Sequence, residues 1–260
     1  MYNTHINAVA GIPDYQIIMD VIGKFAEGRS KDDVHDLMCT QNIYGIRTEK
    51  SRERFFYAIW GVFLQFHSDD HQTLVYRLFQ QDELPAVKKM ALVFQFAVNN
   101  DMFRDLSRDV LVKLYHAGRL TANKAEFIAY LYELKERHPE VGKWSTSTLE
   151  TLASKYLTFL KKIDWLKGKV KKEFTAITPD DVTLIYMIYF LEALHGKESN
   201  LLLNPYVPLL MMGEAHLIDR LKTLSLEGFW TVATLGYDLN VDVTYSYEEI
   251  VDVIAQRDPS

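Results

Sequence analysis

Apolar residues return at a spacing of about 3.6 along most of the chain, and this period constrains the fold more than any motif does. Ile17, Ile18, Val21, Ile22 and Phe25 line one face of a helix predicted from about Asp14 to Glu27, opened by Pro13 and ended by Gly28. Ser30 reads as an N-cap, with Asp32 and Asp33 in the first turn of a short helix reaching about Thr40. A third helix starts near Glu49 and runs through Phe55, Phe56, Ile59, Trp60, Phe63 and Leu64. Further helices are predicted over 87–99, 103–116 and 123–137, the last stopped by Pro139. Beyond them, hydroxyls from Ser145 to Thr148 cap an amphipathic helix carrying Leu149, Leu152, Tyr156, Leu157, Phe159 and Leu160. With only 12 Gly and 7 Pro in 260 residues, the expected fold class is mainly α, multi-helical with helix-turn-helix elements.

Extended structure is expected in two short hairpins. Near 168–178, Gly168 breaks the helical pattern and Val170, Phe174 and Ile177 follow at wider spacing. Over 229–245, apolar and polar residues alternate on either side of Tyr237 and Asp238. Between the hairpins lie an apolar helix, Val182 to Leu194, a loop with Pro205 and Pro208, and a helix from about Glu214 to Leu226. A final helix opens on a capping box, Ser246 with Glu249. The apolar helix spans 13 residues and holds Glu192, short of the roughly 20 a membrane span needs. The first residues lack the basic and apolar regions of a secretion signal, so a cytoplasmic protein is expected. The lone Cys39 excludes an intramolecular disulfide and a cysteine-based zinc cluster, and reads as a small buried apolar residue.

Two domains are predicted. Residues 1–84 form an N-terminal helical domain in which helix, short helix, turn and longer helix give a helix-turn-helix layout. Residues 85–260 form a C-terminal helical domain with a second, winged helix-turn-helix and an acidic terminal section. The net charge is −6, but it is unevenly placed: 4 basic against 13 acidic residues from Ala176 onward, and 25 against 22 before it. A polyanion-binding surface therefore belongs to the first two-thirds of the chain, and the acidic section suits solvent or a protein partner.

The densest signal is the stretch from Lys143 to Thr175, with Lys143, Lys155, Lys161, Lys162, Lys167, Lys169, Lys171 and Lys172 against three acids. Lysines on a helix and its following turn displace counterions from phosphates. The hydroxyls of Ser145, Thr146, Ser147 and Thr148 at the helix start can fix register on a backbone. The same lysines could simply solvate an exposed face. A second group, Arg47, Lys50, Arg52 and Arg54, surrounds the start of the presumed recognition helix, mixed with Glu49 and Glu53. Its alternative is a surface of i,i+4 charge pairs. His67 and His71 in HSDDH would share a helix face as a metal pair, but no third ligand is identifiable and a solvated turn after a helix end is the plainer reading. The remaining histidines, His35 among them, stand singly and read as incidental. No Walker loop, GxGxxG turn, nucleophile elbow, HExxH or CxxC pair occurs, so neither catalysis nor a cofactor is expected.

The order of blocks is itself informative. FAEGRSKDDVHDLMCTQNIYGIRTEKSRERFFYAI, followed by the segment from LVFQFAVNNDMFRDL to KWSTSTLETLASKYLTFLKKIDWL, resembles the BrxA family, a core component of bacterial BREX (bacteriophage exclusion) defence systems. The resemblance spans roughly Val21 to Phe174. It implies a helical protein that binds double-stranded DNA and works beside a methyltransferase, an ATPase and a phosphatase-like subunit. By position it maps the RTEKSRER helix start and the WSTSTLETLASKYLTFLKK helix, and it carries over no catalytic residue. The competing expectation is a protein-interaction scaffold that does not touch DNA.

Overall fold

In a computed structural model, the chain is described at residues 2–4, 14–195, 200–235 and 238–257. Pro13 and Tyr237 lie outside these residues. The described chain is mainly helical, with two small antiparallel hairpins, as the periodicity predicts. It divides into two compact units that are discontinuous in sequence: 1–65 with 92–177, and 66–91 with 178–260. The break expected after residue 84 falls inside the 66–91 segment of the second unit.

The first unit begins with α1 (Tyr15–Ala26), capped by the Asp14 carboxylate, and α2 (Lys31–His35), opened by a reciprocal capping box between Ser30 and Asp33. α2 runs on into a π-helical turn, Asp36–Thr40. α3 (Glu49–Phe63) starts at the N-cap Thr48 and buries Phe56, Ala58, Ile59, Val62 and Phe63. The C-terminal part of α5 (Pro85–Asn99) is followed by α6 (Asp101–Leu106), a π turn (Ser107–Leu111) and α7 (Val112–His116). Then come α8 (Lys124–Arg137), the single turn α9 (Pro139–Gly142) and α10 (Thr146–Lys162), and the hairpin β1 (Leu166–Lys167) with β2 (Glu173–Phe174).

An aromatic cluster anchors this unit. The Phe96 and Phe103 rings stack 4.0 Å apart, and Phe159 of α10 meets both edge-on at 5.3 and 5.5 Å. Tyr156, fully buried, packs on Phe103 and Phe127, and its hydroxyl lies 2.8 Å from Ser107 Oγ. Such pairs contribute about 0.5–1.5 kcal/mol each beyond the area they bury. They fix the inner face of α10 and therefore which residues its outer face presents.

The second unit contains α4 (Asp69–Gln80), the start of α5, α11 (Asp181–His195), two 3₁₀ turns, α12 (Glu214–Leu226), the hairpin β3 (Trp230–Leu235) with β4 (Asp238–Val243), and α13 (Ile250–Ala255). Helix α4 is where the sequence predicts a solvated turn. Ser68 is its N-cap, and Asp69 and Asp70 lie in its first turn, favourably placed against the helix dipole. α11 is buried from Leu184 to Leu191, which accounts for its unbroken apolar run. The Tyr189 hydroxyl donates to the Phe229 carbonyl at 2.7 Å and accepts from the Tyr245 amide at 3.0 Å, tying α11 to the residues that flank the open end of the β3–β4 hairpin. Among the described residues no helix is long and apolar enough to cross a membrane.

Candidate nucleic-acid interface

Residues 101–175 follow a specific order: α6 and α7 joined by their π turn, a short extended segment, α8, the single turn α9, α10 and the hairpin. The extended segment was invisible in the sequence. Thr121 forms an antiparallel bridge with Glu173 of β2, the Ala122 amide donates to the Lys172 carbonyl at 2.8 Å, and the Phe174 amide donates to the Leu120 carbonyl at 3.1 Å. This bridged segment braces the hairpin beside the start of α8. The β1–β2 register pairs Leu166 with Phe174 and Lys167 with Glu173. Gly168 turns the chain at φ +91°, a conformation open to glycine, with the position of its missing Cβ 2.2 Å from the Lys171 carbonyl oxygen.

α10 is set by its own N-terminus. Ser145 Oγ accepts from the Thr148 amide at 3.3 Å and lies 2.9 Å from both Ser147 Oγ and Thr148 Oγ1. Tyr132 of α8 donates to Thr146 Oγ1 at 3.0 Å, and Lys135 Nζ donates to the Trp144 carbonyl at 2.7 Å, so two contacts from α8 hold the α10 start. Leu149, Leu152, Ala153, Tyr156, Leu157, Phe159 and Leu160 face inward. The opposite face presents Ser147, Thr151, Lys155, Thr158 and Lys161, all exposed.

The predicted lysines are not equivalent. Lys143, Lys155, Lys161, Lys167, Lys169 and Lys171 are exposed, whereas Lys162 and Lys172 are partly covered. Burial holds the Lys162 ammonium below the usual lysine range, against a nearby Asp14 that raises it. Lys172 Nζ folds back onto the carbonyls of Lys169 and Gly168 at 2.9 and 3.2 Å, bracing the hairpin turn. Between α8, α10 and the hairpin lies a cavity of about 480 Å³ whose rim includes Asn123, Lys124, Ser154, Thr158, Val170 and Lys171. Val170, at the hairpin tip, is 95% exposed, and Leu120, whose carbonyl accepts from the Phe174 amide, is 83% exposed.

The second basic group divides as well. Arg47, Lys50 and Arg54 are exposed. Arg52 turns inward: its Nε donates to the Cys39 carbonyl at 2.6 Å and its Nη1 to the Ile46 carbonyl at 3.3 Å. These bonds satisfy carbonyls at the end of the π turn and in the loop before α3, so Arg52 fastens the loop rather than facing outward. Glu53, read as part of a mixed surface, instead pairs with His35 at 3.0 Å. In the second unit HSDDH is a helix start: His71 is fully buried, edge-on to Phe66 and Phe190, and its Nδ1 accepts from the His67 amide at 3.3 Å.

The fold is shared with a crystal structure of an uncharacterised protein from Magnetospirillum magneticum, at a TM-score of 0.57 and 14% identity, covering 74% of this chain and 98% of that one. No curated protein matches. The helical class, the two hairpins and their order define a multi-helical chain of this architecture. The model of the BrxA family matches residues 15–187, and the chain belongs to that family. It is accordingly a component of a BREX phage-defence system.

Proposed function

We propose that this BrxA-family chain is a non-enzymatic, cytoplasmic DNA-binding component, contacting duplex backbone through the module at 101–175 and working beside the methyltransferase, ATPase and phosphatase-like subunits of its system. The observation that carries the reading is the Thr121–Glu173 bridge. With it, α8, α10 and the β1–β2 hairpin acquire the order of a winged helix-turn-helix, in which α10 occupies the recognition position and the hairpin the wing. The outer face of α10 supports this: hydroxyls at its N-terminal half and lysines at its C-terminal half are chemically suited to phosphate oxygens, and they continue onto Lys167, Lys169 and Lys171 of the wing. The cavity beside Lys124 and Lys171 offers room for a backbone phosphate. Arg47, Lys50 and Arg54 at the α3 start form a secondary contact. Arginine is scarce on α10, so backbone contact outweighs guanine reading.

The scaffold reading draws on Leu203 and Leu226 of the second unit, 78% and 91% exposed in an acidic section. A charge reversal separates the two. Thr158→Glu, on the exposed face of α10, should weaken binding to a fluorescent duplex at least about tenfold at low salt, because a carboxylate there meets phosphate. Unchanged affinity in a folded variant, with retained co-purification of other subunits, favours the scaffold.

A further inference from the structure

We infer that His35, Cys39 and Glu53 form a binding site for a single zinc-class transition-metal ion that joins α2 and its π turn to α3. The ligand atoms of the three side chains all lie within 4.8 Å of one another. His35 Nε2 is 3.0 Å from Glu53 Oε1, and Cys39 is 4% exposed beneath them.

The local backbone explains the convergence. His35 ends α2 and Cys39 lies in the π turn that follows, four residues on, so both project from one side of the same continuous helix. Single π turns inside helices occur frequently at functional sites. Glu53 arrives from the second turn of α3, which the two Arg52 bonds to the Cys39 and Ile46 carbonyls hold against the π turn. A tetrahedral zinc ion with bonds of about 2.0–2.3 Å needs its ligand atoms roughly 3.4–3.7 Å apart, so shifts of about 1 Å complete the set.

The chemistry of the donors selects the metal. One thiolate, one imidazole and one carboxylate are a borderline-soft set that favours zinc over the oxygen-seeking magnesium and calcium. The thiolate and carboxylate together balance a divalent charge, leaving the Arg52 guanidinium as the remaining cation against the carbonyl edge. Binding replaces the Cys39 S–H bond with a sulfur–metal bond and releases that proton to solvent. His35 and Glu53 are 31% and 38% exposed at their side chains, which leaves a fourth coordination position open to water. The role is structural, clamping the loop that precedes α3.

The test uses the full chain, stripped with a chelator and titrated with Co²⁺. Because Cys39 is the one cysteine in the sequence, a thiolate-to-cobalt charge-transfer band can come from no other residue. One Co²⁺ per chain with that band, bleached by one equivalent of Zn²⁺ and absent in Cys39→Ser, is expected. His35→Ala and Glu53→Gln alter partly exposed side chains and serve if Cys39→Ser does not fold. Each should weaken Co²⁺ at least about tenfold. Cobalt bound without the band, no stoichiometric uptake, or a band unaffected by both substitutions would overturn the assignment.

Discussion

Replacing Gly168 by alanine tests the wing through its own backbone. The residue sits at φ +91°, and an added Cβ would lie 2.2 Å from the Lys171 carbonyl oxygen. Carbon–oxygen contacts settle at about 3.3 Å or more, so the turn must open by about 1 Å. The left-handed conformation costs a Cβ-bearing residue roughly 1–2 kcal/mol. Opening also strains the bond from the Ala122 amide to Lys172 and the short β1–β2 ladder, at about 1 kcal/mol per bond. The total, about 3–4 kcal/mol, should lower the melting midpoint of a unit of about 150 residues by roughly 5–15 °C. Gly118 provides the control: its φ is +70° with nothing within 4 Å, so Gly118→Ala carries the conformational cost alone, about 1–2 kcal/mol. Thermal melting followed by circular dichroism, with hydrogen exchange at the Ala122 amide, reads both effects. Equal midpoints for the two variants, with the Ala122 amide still protected in Gly168→Ala, would refute the steric reasoning.

Three further outcomes are expected. Arg52→Ala should cost about 1.5–3 kcal/mol in chemical denaturation, since two carbonyls lose a charged donor, and leave the salt dependence of DNA binding unchanged. Tyr156→Phe removes the buried hydrogen bond with Ser107, whose hydroxyl still donates to the Phe103 carbonyl at 2.7 Å; a destabilisation of about 0.5–1.5 kcal/mol by the same measurement is expected. Hydrogen bonds from Arg108 and Tyr130 hold the Asp109 carboxyl at about 2, below its ordinary 3.8, so its contribution is present above about pH 4 and disappears as pH falls toward 2. The melting gap between the wild-type chain and Asp109→Asn should therefore close across that window, whereas a gap constant from pH 6 to pH 2 would show that the ion pair is not its source.

Much of the helical layout was legible because local signals agree with the period. Ser30, Ser145 and Ser246 each cap or box the turn they precede, and Gly168 marks the wing turn. Helix α4 was not legible as one, although Ser68, Asp69 and Asp70 make an ordinary helix start: the polar HSDDH stretch directly after the apolar run of α3 has the composition of a solvated turn. Arg52 was readable in principle, since it shares a stripe with Phe56, Ile59 and Phe63 at helical spacing. The bridge at Thr121 was not, because one bridging residue carries no period and its partner lies some fifty residues on. The interleaved units were equally hidden: α4 belongs with α11 and α13 through contacts such as Tyr186 with the Leu74 carbonyl and Arg77 with Asp252, at sequence separations no local pattern reports. The same holds for Glu53, which reaches His35 and Cys39 only once α3 has docked.

The central claim is duplex binding by the exposed lysines of α10 and the wing, and the salt dependence of affinity tests it most directly. For the full chain, log K against log salt should be linear, and replacing Lys155, Lys161, Lys169 and Lys171 by alanine should reduce the slope by about 0.9 for each phosphate that is no longer neutralised, up to about 3.6. Duplex binding that survives the four substitutions with the same slope, or a wild-type chain that does not bind duplex at low salt, would contradict it.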